Sequence, residues 1–61
     1  MTSAELMKLL EDDGWHISSR KGSHITYKKE GYRYHITIKH PTKDVSRGLL
    51  RDCLKKMNQL Q

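Results

Sequence analysis

The chain has 61 residues, a formal net charge of +5 and a pI of about 9.6. A chain this short buries only about 60% of the surface its unfolded form exposes, so one small domain spanning 1–61 is expected, with no deep substrate cavity. The lone cysteine, Cys53, cannot form an internal disulfide, no signal peptide is visible and no apolar run approaches the ~20 residues that cross a bilayer. Composition therefore points away from membranes and secretion, towards the cytoplasm and an acidic partner.

In chain order, Thr2-Ser3-Ala4-Glu5 reads as a capping box. Leu6, Leu9 and Leu10 then form an apolar stripe, and Gly14 is suited to the left-handed stop, so the spacing predicts a helix over about 3–13. Trp15 and Ile17 alternate with His16 and Ser18, which predicts a half-buried strand. Arg20 to Ser23 is polar and contains glycine, as in a turn. Ile25 and Tyr27 alternate with His24, Thr26 and Lys28; Tyr32, Tyr34, Ile36 and Ile38 alternate with Arg33, His35 and Thr37. Glu30-Gly31 between them reads as a hairpin turn. His40-Pro41-Thr42-Lys43-Asp44 is a predicted loop. Ser46 is an N-cap candidate, with Val45 and Leu50 as a hydrophobic staple. Leu50, Cys53, Leu54 and Met57 supply the stripe of a second helix.

The predicted class is α+β, in the order α-β-β-β-α: a three-stranded antiparallel sheet with both helices on one face. A turn centred on Glu30-Gly31 would set Tyr27 against Tyr34 and Ile25 against Ile36 on the helix side. The other face would then carry His24, Thr26, Lys28, Arg33, His35 and Thr37, with the two histidines nearly diagonal neighbours.

Charge is unevenly spread. Residues 1–13 carry −3 and residues 44–61 carry +2, whereas residues 14–43 carry +6, with Glu30 as their only acid. Lys21-Gly22-Ser23-His24 lies in that basic middle. Gly22 and Ser23 offer unhindered backbone N–H groups to a phosphate, and Lys21 and Lys28 supply charge. An imidazole exchanges a proton near neutrality. These parts suit metal-independent cleavage of RNA. A base takes the proton from the 2′-hydroxyl, the oxygen attacks the adjacent phosphorus, and cations and amides stabilise the phosphoryl oxygens. DNA lacks that nucleophile.

The helix ending at Gly14-Trp15, the Lys21-Gly22-Ser23-His24 step, His40-Pro41, Lys43-Asp44-Val45 and Gly48-Leu49-Leu50-Arg51 together resemble the HicA toxins of bacterial HicAB toxin–antitoxin systems. The resemblance runs over about residues 3–57. It implies a double-stranded-RNA-binding-domain-like fold and a type II toxin acting as an mRNA-cleaving endoribonuclease. It further implies a catalytic histidine at His24, and neutralisation by a HicB-type antitoxin, which would also account for any contact with operator DNA. Lys39 before His40-Pro41, and His35 within a strand, depart from the family's pattern.

His24 is thus the expected catalytic residue, with Arg20, Lys21, Gly22, Ser23 and Lys28 as the expected RNA contacts around it. Lys43 and Arg47, at the entry to the second helix, are expected to meet phosphates, which give affinity without sequence choice. His35 is a candidate second proton-transfer group. His40 reads as a loop former and His16 as a surface residue; Tyr32, near a turn, is a candidate for stacking on a base. Scattered histidines without metal-ligand spacing imply neither metal nor cofactor, and Cys53 falls on an apolar stripe. Two rival readings share these features: a non-catalytic RNA-binding module of the same fold, and an adaptor for an acidic protein.

Overall fold

The structure, a computed structural model, describes residues 1–58; the last three residues of the expected 1–61 domain lie outside that span. The elements are α1 (Ser3–Asp12), β1 (His16–Lys21), β2 (His24–Lys28), β3 (His35–Lys39) and α2 (Arg47–Asn58). The strands form one antiparallel sheet in the order β1-β2-β3. The α-β-β-β-α order expected from the sequence is the order observed. No helix among the described residues is long and apolar enough to cross a membrane.

Both ends of α1 are closed by local bonds. The Glu5 backbone N–H donates to Thr2 Oγ1 (3.2 Å), and the Thr2 backbone N–H donates to Glu5 Oε1 (2.8 Å), completing the capping box. The bonds from Thr2, its backbone N–H first, hold the Glu5 carboxyl below its usual range. At the other end Gly14 has φ +101. The Trp15 N–H reaches the Leu10 carbonyl (2.9 Å) and the Gly14 N–H the Glu11 carbonyl (3.1 Å). This is a Schellman closure, and it needs a residue tolerant of positive φ at that position. In α2, the Leu49 N–H donates to Ser46 Oγ (3.2 Å), so Ser46 is the N-cap.

The core lies between the helices and the sheet. It comprises Leu6, Leu10, Trp15, Ile25, Tyr27, Ile36, Ile38, Val45 and Cys53, with Met7, Tyr32, Leu49, Leu50 and Met57 partly buried against it. The buried line of α1 is Ser3-Leu6-Leu10, one residue every third or fourth position, while Leu9 remains 39% exposed. Leu54 is likewise 44% exposed, so the stripe of α2 turns through Leu50, Cys53 and Met57 and leaves Leu54 out. Tyr27 ties the layers together, its hydroxyl donating to Glu11 Oε2 (2.8 Å). Burial, followed by that bond and the carboxylate charge, pushes the Tyr27 phenol up to about 12. Burial, with a smaller contribution from Asp52, pushes the Cys53 thiol up to about 11.

The strand register differs from the expected one. Ile25 pairs with Ile38, Thr26 with Thr37, Tyr27 with Ile36 and Lys28 with His35. The β2–β3 connection therefore takes all of Lys29–Tyr34, and Arg33 and Tyr34 lie in it and not on the strand. Tyr32 is drawn off the strand path into an edge-on contact with Trp15 (centroids 5.4 Å apart, planes at 78°). Lys29 pairs with Asp13 at 3.2 Å, and the Lys56 ammonium lies over the Tyr34 ring. These contacts outweigh the alternation of Tyr32 and Tyr34 with their neighbours. The shift is two residues, so the side chains of β2 and β3 keep their predicted faces.

Candidate functional site

The β1–β2 hairpin closes on the Lys21–His24 pair through Gly22 and Ser23 alone. Gly22 has φ +58 and Ser23 does not share the positive φ, the pattern of a type II′ turn, which favours glycine at its first central position. β1 consequently runs through Arg20 and Lys21, both of which the sequence had placed in the turn.

A β-bulge between Ile17 and Ser19 decides which β1 residues accompany His24. Counting alternately from an inward Ile17 would send Lys21 inward and Arg20 outward. The extra residue, Ser18, inverts that order beyond it. Lys21 accordingly pairs with His24 on the outer face, while Arg20 pairs with the buried Ile25 and belongs to the helix side. Arg20 therefore does not join the His24 surface.

The outer face is an exposed ladder of three cross-strand rows. At one end His24 stands directly between Lys21 of β1 and Lys39 of β3, with Cβ separations of about 4.5–5.5 Å for paired positions. The middle row is Ser19, Thr26 and Thr37, in which the two threonine hydroxyls lie 3.2 Å apart. At the other end Lys28 stands between His16 and His35. The three strands contain no acidic residue. Among the described residues, side-chain ion pairs take up Lys29 and Lys56, and none takes up Lys21, Lys28 or Lys39.

His35 and His24 lie four residues apart along the paired strands, or about 13 Å. The expected diagonal contact is absent, and His35 cannot exchange a proton with a group held at His24. Lys39 takes its place beside His24. Alternation alone could not show this, because Lys39 becomes the partner of His24 only in the observed register. Tyr32 is half-buried against Trp15, so its ring is turned inward and not offered for stacking on a base.

Beyond β3 the ladder is extended by one bond, from the His40 N–H to the Ser23 carbonyl (2.8 Å). The His40 side chain lies on the helix side. Ser3, 1% exposed, accepts the Thr42 N–H at Oγ (2.8 Å), and its hydroxyl lies 2.7 Å from His40 Nδ1. Ser3 Oγ thus joins the Thr42 backbone to the His40 ring. The His40–Pro41 peptide is cis. His40, Pro41 and Lys43 line an open cleft of about 430 Å³ with the first residues of α1. Arg47 opens α2 and is exposed. Neither Lys43 nor Arg47 lies on the strand ladder. Cys53 is buried within the core.

A helix, a three-stranded meander and a second helix, with a lysine-flanked histidine at one corner of the open face, define a small basic α+β protein with a cationic sheet surface. The family described as HicA toxin of bacterial toxin–antitoxin matches over residues 3–59, and the chain belongs to that family. One chain of a solved structure described as the HicA3 and HicB3 toxin-antitoxin complex is 45% identical, with a TM-score of 0.82 over 95% of this chain and 94% of that one. No curated protein matches.

Proposed function

We propose that this HicA-family protein is an endoribonuclease toxin that cleaves mRNA in the cytoplasm through His24, and that a HicB-type antitoxin restrains it. The observation that carries the reading is the Lys21–His24–Lys39 row: an exposed imidazole between two lysines, at a hairpin tip, on a face without acids.

His24 takes the proton from the 2′-hydroxyl, and the oxygen attacks the adjacent phosphorus. The bond to the 5′-oxygen breaks, leaving a 2′,3′-cyclic phosphate and a 5′-hydroxyl. The leaving oxygen takes its proton from solvent, which reaches this face freely. Lys21 and Lys39 stabilise the charge growing on the phosphoryl oxygens. The tight turn at Gly22-Ser23 lets the RNA backbone approach without meeting a Cβ, since no atom lies within 4 Å of where one would stand on Gly22. Lys43 and Arg47, off the ladder at the entry to α2, supply further phosphate contacts in this reading. An antitoxin that blocks this surface is acidic where it covers His24; the similar solved chain is described as part of a complex with HicB3.

The test is His24→Ala, purified and offered an RNA oligonucleotide. Positioned acid–base groups typically contribute about 10²–10⁴-fold, and a loss of that size is expected with the fold intact. A matching substrate with a single 2′-deoxyribose at the scissile step should survive wild-type protein. Equal cleavage by His24→Ala and wild type would remove His24 from the chemistry and leave a non-catalytic RNA-binding module.

A further inference from the structure

The two ends of the outer face are inverted copies of each other. One end sets an imidazole between two ammonium groups, and the other sets an ammonium, Lys28, between the imidazoles of His16 and His35. We propose that the His16–Lys28–His35 row is a second phosphate-binding subsite, which grips the RNA strand a few nucleotides from the bond cut at His24. It rests on the ribonuclease reading for the identity of its ligand.

All three side chains are exposed. The neighbouring lysine, Lys29, is held by Asp13 at 3.2 Å, whereas Lys28 has no ion-pair partner among the described residues. From α2, Lys56 donates to the His35 carbonyl (3.3 Å), but like Lys29 it is held by a carboxylate, Asp52 at 3.0 Å, so among the described residues Lys28 is the unpaired cation of the row. The row cannot hold a metal, since an ammonium stands between the imidazoles and repels a cation; no group of three metal-binding side chains occurs among the described residues. An anion meets one fixed positive charge flanked by two imidazole rings that can donate N–H bonds to it.

A polynucleotide fits this surface better than a protein does. Protein interfaces are anchored by buried aromatic and aliphatic side chains, and none stands on this face. The strip between the rows is formed by Ser19, Thr26 and Thr37, which can donate to ribose and phosphate oxygens. The rows lie about 13 Å apart, a span that a single strand covers within a few nucleotides. Two anion sites at that spacing fix the strand's direction across His24, which charge alone does not.

The test uses the full chain carrying His24→Ala, so that nothing is cut, and fluorescent RNAs of two and of about eight nucleotides. The longer RNA should bind more tightly, and His16→Gln with His35→Gln should remove about ten-fold of that gain while leaving the dinucleotide unchanged. Lys28→Gln should lower the slope of log affinity against log salt by about one. Unchanged affinity for the longer RNA in the doubly substituted protein overturns the proposal. So does loss of antitoxin binding with RNA binding intact, which would make the row a protein contact. Cleavage by wild-type protein is scored separately, so an inactive wild type would sink the ribonuclease reading while the binding comparison still decides the row.

Discussion

The two hairpins of the sheet are built on different principles. The β1–β2 connection has two residues and owes its shape to the backbone, through positive φ at Gly22 and the Lys21–His24 closing pair. The β2–β3 connection spends six residues and owes its shape to side chains: Tyr32 on Trp15, Lys29 on Asp13 and Lys56 over Tyr34. The short hairpin leaves its polar groups outward, beside the histidine. The long one turns its best groups inward and serves packing. The corner that carries His24 is held here by stereochemistry, while its counterpart across the sheet is tied to the core.

Breaking the long hairpin should have the larger effect on stability. Trp15→Ala removes a 2%-exposed side chain that supports Tyr32 and also donates to Asp13 (3.1 Å). Losses of about 3–5 kcal/mol are typical of such truncations, so thermal or urea unfolding should show a protein barely folded at 25 °C. Next, Gly22→Ala should cost about 1–2 kcal/mol, because an L-residue must adopt the left-handed region. No neighbour blocks the added methyl group, so a loss well below that range would show that the turn had switched type. RNA cleavage measured on the same protein should fall further than its folded fraction, because His24 closes this turn. A smaller change is expected from Lys29→Gln. The Lys29 side chain is mostly shielded, but its partner Asp13 is a third exposed, and such pairs contribute about 0.2–1 kcal/mol. Cleavage should be untouched, and any loss beyond the change in folding would join the two hairpins functionally.

The alkaline limit of stability follows from the core. Tyr27 and Cys53 hold their protons more tightly in the folded chain than in the unfolded one. Above the ordinary values the unfolded chain has released protons that the native chain retains, so stability falls with rising pH. The urea midpoint should be flat near neutrality, begin to fall near pH 9 as the Cys53 range is entered, and keep falling to about pH 12. Tyr27→Phe should flatten the upper part of that fall, above about pH 10, and cost about 1 kcal/mol at neutral pH through the lost bond to Glu11.

Much of the architecture was legible because local signals agreed. The capping box at Thr2, the stop at Gly14 and the N-cap at Ser46 each specify an end, and the alternating isoleucines of β2 and β3 specify a buried face. What escaped depends on contacts between distant residues. Nothing local reveals that Tyr32 will leave the strand for Trp15, and with it went the register that sets Lys39 beside His24. The bulge at Ser18 escaped for a similar reason. Two serines in a row fit either face, so no apolar residue shows that Lys21 belongs to the outer face and Arg20 to the helix side. His24 itself was legible, since Gly-Ser-His at a turn holds its place under any of these registers.

The single thiol offers one more use. Cys53 sits at 0% exposure, its ionisation suppressed by the apolar surroundings, and only the thiolate reacts with alkylating probes. Its labelling rate is therefore a natural clock for opening of the whole molecule, readable on unmodified protein inside a cell. Capture by an antitoxin should slow that clock by the full strength of the complex, wherever on the folded surface it binds.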